Sequence, residues 1–95
     1  KKLTPEKIAN IVCKHFNVDI LDICGPKRNR EFVIARDIAI YECRNFLKDI
    51  TQEKIGEFFN RDHSTIINSC KKIEMRLKEK EIQEHLNKIK EELEI

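Results

Sequence analysis

Apolar residues in this chain return at the spacing of an α-helix. Ile66, Cys70, Ile73 and Leu77 recur at i, i+4, i+7 and i+11, and Ile82, Leu86, Ile89 and Leu93 repeat the pattern. Side chains three and four apart share one helix face, so each stripe needs a neighbour to cover it. Over residues 31–47, Phe32, Ala35, Ala39, Cys43 and Phe46 share one face while Ile34, Ile38 and Tyr41 supply a second apolar side. A helix apolar around most of its girth is a central one, packed on several sides. No convincing strand-like alternation accompanies these stripes. The chain therefore reads as all-α, a compact bundle of about six helices.

Punctuation divides the bundle. Gly and Pro occur twice each. Thr4-Pro5 is an N-cap followed by proline at the first helical position, where its missing N–H costs nothing. A helix to about residue 16 follows, and DILDI (19–23) allows a short second one. CGPKRNR (24–30) cannot be helical, because Gly25-Pro26 breaks the pattern and the residue before proline is pushed to extended geometry. It is a short basic loop. Thr51 caps a helix over 52–59, Asp62 caps a longer one over 62–79, and a last helix covers 81–94. Ninety-five residues fit one domain with a single modest core, so 1–95 is one unit without internal repeats.

Charge narrows the class of partner. The net charge is +2, but residues 27–80 carry thirteen Lys/Arg against nine Asp/Glu and residues 81–95 carry two against five. A basic body with an acidic tail points mildly to a polyanionic partner, although solvated helix faces account for the charge equally well. No apolar run approaches the ~18 residues of a membrane span, and no signal-peptide pattern is present, so a soluble chain is expected. The four cysteines, at 13, 24, 43 and 70, form no C-x-x-C and no close pair with histidine, which argues against a structural metal. Cys43 and Cys70 fall on apolar stripes and pack as small hydrophobes, consistent with a reducing cytosol. The only methionine is Met75, so a fragment of a longer chain, or a trimmed product, is expected.

Asp62-His63-Ser64 invites a catalytic reading that geometry rejects. Three consecutive residues at a helix start project roughly 100° apart and cannot line up as a relay. There is no G-x-S-x-G elbow and no glycine-rich phosphate loop. No enzyme activity and no cofactor are expected within this chain. Helices 52–59 and 62–79, joined by about three residues, instead have the length of a helix-turn-helix over 51–79. In that motif the second helix enters the major groove tip first. Thr65 offers a methyl and a hydroxyl, His63 a donor for a purine or phosphate, and Asp62 an acceptor for a cytosine amino group. Plain capping accounts for Asp62 and Thr65 as well, and the two roles are compatible. Lys71 and Lys72 lean toward the groove wall. Lys27, Arg28 and Arg30 give a second anchor, since a loop arginine can enter a minor groove. Arg36 and Arg44 interrupt the central helix; their stems cover a core edge or their heads reach phosphate. Two other readings compete: a sigma-factor-like promoter reader, which does not need the 27–30 loop, and a helical protein-interaction module using the acidic last helix.

RDHSTIINSCKKIE (61–74) resembles the R-D-H-[ST]-T-V/I motif of the family of C-terminal DNA-binding domains of the bacterial chromosomal replication initiator, DnaA. PKRNREFVIARDIAIYECR (26–44) is similar to that family's basic loop and long helix, and TQEKIGEFF (51–59) to its first helix-turn-helix helix. The resemblance covers about residues 4–95. It implies recognition of the nine-base-pair DnaA box of the replication origin in double-stranded DNA. It places Arg28 in the minor groove, and Asp62, His63, Ser64 and Thr65 in the major groove. Lys27, Arg30, Arg36, Arg44, Thr51, Gln52, Arg61, Asn68, Lys71 and Lys72 are then the expected phosphate contacts. It also implies an upstream AAA+ module that binds ATP with magnesium, other initiator protomers and regulatory proteins as partners, and a cytoplasmic, nucleoid-associated location. The chain departs from the family where Phe58-Phe59-Asn60-Arg61 replaces F-G-G-R, where Gln52-Glu53-Lys54 replaces L-P-E, and where Asp37 stands in place of a neutral glutamine.

Overall fold

The computed structural model describes residues 2–94. Six helices follow one another: α1 (Pro5–Phe16), α2 (Ile20–Cys24), α3 (Arg30–Phe46), α4 (Gln52–Phe59), α5 (His63–Glu74) and α6 (Lys80–Leu93). No strand occurs among the described residues. The helix starts carry the expected caps. Thr4 accepts the Lys7 N–H at 3.2 Å, Thr51 the Lys54 N–H at 3.1 Å and Asp62 the Thr65 N–H at 3.0 Å, each satisfying a first-turn donor that the helix itself leaves unpaired.

Helix α3 is the centre of the molecule and packs against α1, α2, α4 and α5. Ala35, Ile38, Ala39, Ile40 and Cys43 are fully buried along it, as the nearly all-round apolar pattern requires. Against them lie Ile8 and Val12 of α1, Ile23 of α2, Ile55 and Phe59 of α4, and Ile66 and Ile73 of α5. Burying each such side chain contributes roughly 1.5–3 kcal/mol. The acidic helix α6 packs mainly on α1, turning Ile82, Ile89 and Leu93 inward. A hydrogen bond of 2.8 Å between the imidazoles of His15 and His85 joins the same two helices. Burial is the main reason the His15 ring sits below its ordinary pKa, with His85 next. Cys13, Cys43 and Cys70 are buried and unbonded, and burial raises their thiols to about 11, about 12 and about 11 respectively. Among the described residues no helix is long and apolar enough to cross a membrane.

Three expected boundaries are corrected. The helix expected over 62–79 stops at Glu74, and residues 75–78 form turns. There the backbone changes to bonds spanning three residues, Arg76 N–H to the Ile73 carbonyl and Leu77 N–H to the Glu74 carbonyl. Arg76 then closes the segment with a 2.9 Å ion pair to Glu79. Leu77 keeps its inward position without a continuous helix, which is why the stripe overran the element. The loop shortens by a residue at each end, because α2 runs to Cys24 and α3 starts at Arg30.

Candidate nucleic-acid interface

The turn between α4 and α5 is built by three residues. Asn60 ends α4 in the left-handed region, φ 61 and ψ 43, and its N–H returns to the Gly56 and Glu57 carbonyls. Asparagine tolerates this conformation better than most non-glycine residues, so the turn forms without the family's two glycines. Gly56 is buried beneath it. A Cβ at that position would stand 2.4 Å from the Arg61 carbonyl oxygen, while the Arg61 N–H donates to the Gly56 carbonyl at 2.8 Å. The helix and the turn touch backbone to backbone, and only glycine leaves room.

Asp62, His63 and Ser64 follow on the exposed tip of α5, with Thr65 half-buried beside them. Both the Thr65 N–H and the Ser64 hydroxyl donate to Asp62 Oδ1, at 3.0 and 3.1 Å. These bonds, the Thr65 N–H foremost, hold the Asp62 carboxyl below its ordinary pKa. The capping role is therefore realised in the free protein.

A groove runs from this tip to the basic loop. Pro26 and Arg28 from the loop, Arg36 and Asp37 from α3, Asn60 and Arg61 from the turn, and Thr65 and Lys72 from α5 all line it. Arg28 and Thr65, thirty-seven positions apart in sequence, thus share one wall-to-wall depression, with His63 adjoining across Asn60 and Arg61. Of the other expected contacts, Lys27, Arg30, Arg44, Thr51, Asn68 and Lys71 are exposed, as are Arg28 and Lys72 in the groove, and Gln52 is half-buried at the start of α4. Lys27 makes a 3.4 Å pair with Asp22 and lies 5.6 Å over the Phe32 ring. Lys72 pairs with the buried Asp37 at 2.9 Å.

Two of the expected phosphate contacts, Arg36 and Arg61, bond to protein carbonyls in the free chain. Arg36 is only 6% exposed. Its guanidinium donates to the carbonyls of Ile23 at 2.6 Å, Lys27 at 2.9 Å, Asp22 at 3.2 Å and Gly25 at 3.4 Å. Burial first, and the nearby Arg61 second, pull it below its ordinary pKa. Arg61 donates to the carbonyls of Phe59, Asn60 and Gly25 at 2.9, 3.2 and 2.7 Å. Both guanidiniums hold protein carbonyls, Arg36 from a buried position and Arg61 from a half-buried one on the groove wall. The pairing of buried Asp37 with exposed Lys72 was also not foreseen, although a carboxylate on an otherwise apolar helix face signals a nearby cation.

Two close-packed helices, a tight turn and an adjoining basic arm define a helix-turn-helix domain of the kind that presents a helix tip and a loop on one face. The comparisons agree with that class. The family described as bacterial dnaA protein helix-turn-helix matches residues 5–73, and the chain belongs to it. Its domain is a non-catalytic one. The chain is 40% identical over 78 residues to chromosomal replication initiator protein DnaA 1 of Chlamydia pneumoniae, covering 82% of this chain and 17% of that protein. It is 45% identical over 78 residues to the DnaA initiator of Geobacter sulfurreducens (81% and 17%). With the DnaA initiator of Geotalea uraniireducens it shares 38% identity over 94 residues (98% and 21%). The chain thus spans about a fifth or less of the length of these curated relatives.

Proposed function

We propose that this domain binds duplex DNA at the nine-base-pair DnaA box and positions a replication initiator on origin DNA. The tip of α5 lies in the major groove, where His63, Ser64 and Thr65 meet base edges and Asp62 combines capping with discrimination. Arg28 lies in the adjacent minor groove. Lys27, Arg30, Arg44, Lys71 and Lys72 neutralise phosphates, with Thr51, Gln52 and Asn68 donating to the backbone. The carrying observation is the single groove that holds Arg28, Asn60, Arg61, Thr65 and Lys72. Such an arrangement lets one rigid body reach both grooves of a duplex at once, which a promoter reader lacking the basic arm does not need. The other-class reading, a protein-binding module using α6, finds less support, because the apolar stripe of α6 is already covered by α1. The ATP-binding AAA+ module, the contacts with other initiator protomers and regulators, and the cytoplasmic, nucleoid-associated setting belong to the same proposal for the parent protein.

A titration of the chain against a DnaA-box duplex and a scrambled duplex tests this. Five cationic phosphate contacts make affinity fall on the order of 10²- to 10³-fold between about 50 and 200 mM salt. Equal affinity for the two duplexes would overturn box recognition. Salt-insensitive binding would overturn DNA as the ligand.

A further inference from the structure

The guanidiniums of Arg36 and Arg61 converge on one acceptor, the carbonyl of Gly25, from two different elements. Arg36 approaches from α3 at 3.4 Å and Arg61 from the helix-turn-helix turn at 2.7 Å. The second contact is the only hydrogen bond between loop residues 25–29 and the helix-turn-helix among the described residues. Residues 26–29 are all exposed and contribute no side chain to the core. Their position is set outside the core, by the bonds that Arg36 and Arg61 make to the Gly25 and Lys27 carbonyls and by the Lys27 contacts with Asp22 and Phe32.

We propose that Arg61 is a positioning residue for DNA reading, not a phosphate contact. It fixes the separation between Arg28 and the α5 tip, so that the narrow-groove and wide-groove contacts form in register. This rests on the box-binding reading above. The geometry suits arginine alone. One amino group of the guanidinium holds the Phe59 and Asn60 carbonyls at the end of α4, and the other holds Gly25. The end of a helix presents unpaired carbonyls and partial negative charge, both of which favour a cation there. A planar fork can serve two directions at once, whereas a lysine ammonium on a flexible stem carries the charge without that shape. Arg36 holds the loop to α3 but makes no bond to α4 or α5. Without Arg61 the loop stays attached to the body and loses its register with the turn.

The test is a coupling measurement. Fluorescence-anisotropy titrations compare the unaltered chain, Arg28→Ala, Arg61→Lys and the double variant on a box duplex. The same set is run on duplexes with one base pair changed at a time, at two salt concentrations. In the unaltered background Arg28→Ala weakens binding on the order of tenfold. In the Arg61→Lys background the same change costs less than about threefold. Preference at the base pairs read by α5 is retained and the salt slope is unchanged. Additive losses for Arg28→Ala and Arg61→Lys would overturn the proposal. So would full affinity of Arg61→Lys, or, in a further variant Arg61→Ala titrated at the same two salt concentrations, a drop of about one in the salt slope, the behaviour of a phosphate contact. A second readout needs no DNA. In Arg61→Lys the backbone order parameters of Lys27, Arg28 and Asn29 fall toward the flexible range below about 0.6, while those of α3 and α5 hold. Unchanged loop order would overturn the brace. If the unaltered chain fails to distinguish box from scrambled duplex, the box reading falls by itself and the order parameters still decide whether Arg61 braces the loop.

Discussion

Replacing Glu42 by glutamine should stabilise the protein at neutral and alkaline pH and leave it nearly unchanged in acid. Glu42 lies on α3 only 3% exposed. Burial raises its carboxyl from an ordinary 4.5 to about 7, against the opposing pull of a long Asn45 hydrogen bond of 3.5 Å and of Lys90. The folded state therefore retains a proton that the unfolded chain has released. Stability from this group is fully present below about pH 4.5 and is lost as pH rises through about 7. At about 1.4 kcal/mol for each tenfold change in proton affinity, the loss is about 3 kcal/mol. Glutamine matches the protonated carboxyl in size and carries no charge to desolvate. Urea unfolding of both proteins at several pH values between 4 and 8.5 measures the difference. The expected curve is near zero at the acid end and reaches about 3 kcal/mol in favour of Glu42→Gln above pH 8. A gap that is constant with pH would refute the reasoning, because it would show that the Glu42 carboxyl titrates alike in both states.

Other expectations follow from the same geometry. Arg28→Ala and His63→Ala each cost ~1–3 kcal/mol of binding and relax preference at separate box positions, which mobility shifts on single-base variants would reveal; identical preference profiles would contradict the roles assigned. Lys72→Ala weakens all duplexes alike and lowers the salt slope by about one. It also leaves Asp37 buried and unpaired, so thermal melting falls; adding Asp37→Asn restores the melting temperature but not the slope. Gly56→Ala forces the Arg61 carbonyl away and destabilises the fold by about 1–3 kcal/mol in urea titration. His15→Gln keeps a nitrogen for His85 but does not titrate. The unaltered protein loses stability as pH falls below about 6.5, where the unfolded imidazole takes a proton that the half-buried ring resists, and the variant loses less.

Much of this molecule was legible in its sequence because local chemistry and tertiary need coincide. Thr4-Pro5, Thr51 and Asp62 cap helices wherever they stand, since the unpaired donors lie within three residues. The stripes of α3, α5 and α6 announced their buried faces, and Asn60 announced a turn that needs left-handed backbone. Asp62, His63 and Thr65 were legible as neighbours because the helix-turn-helix fixes which residues form its tip, whereas Arg28 was singled out by the family resemblance. The end of α5 was not, for Leu77 satisfies the core equally well from a turn. Nor could spacing reveal that Arg36 and Arg61 grip the loop.

From the chain alone come the number of helices, their caps, the central place of α3 and the polar tip with its basic arm. These depend on neighbours within one or two helical turns, where propensity and periodicity act. Only the folded structure decided which cations face outward. Arg36 and Arg44 look alike in sequence, yet one is buried among four carbonyls and the other lies exposed. Packing brings α2 and the loop after it within reach of Arg36, and the Gly25 carbonyl within reach of Arg61, and a guanidinium removed from water requires such partners.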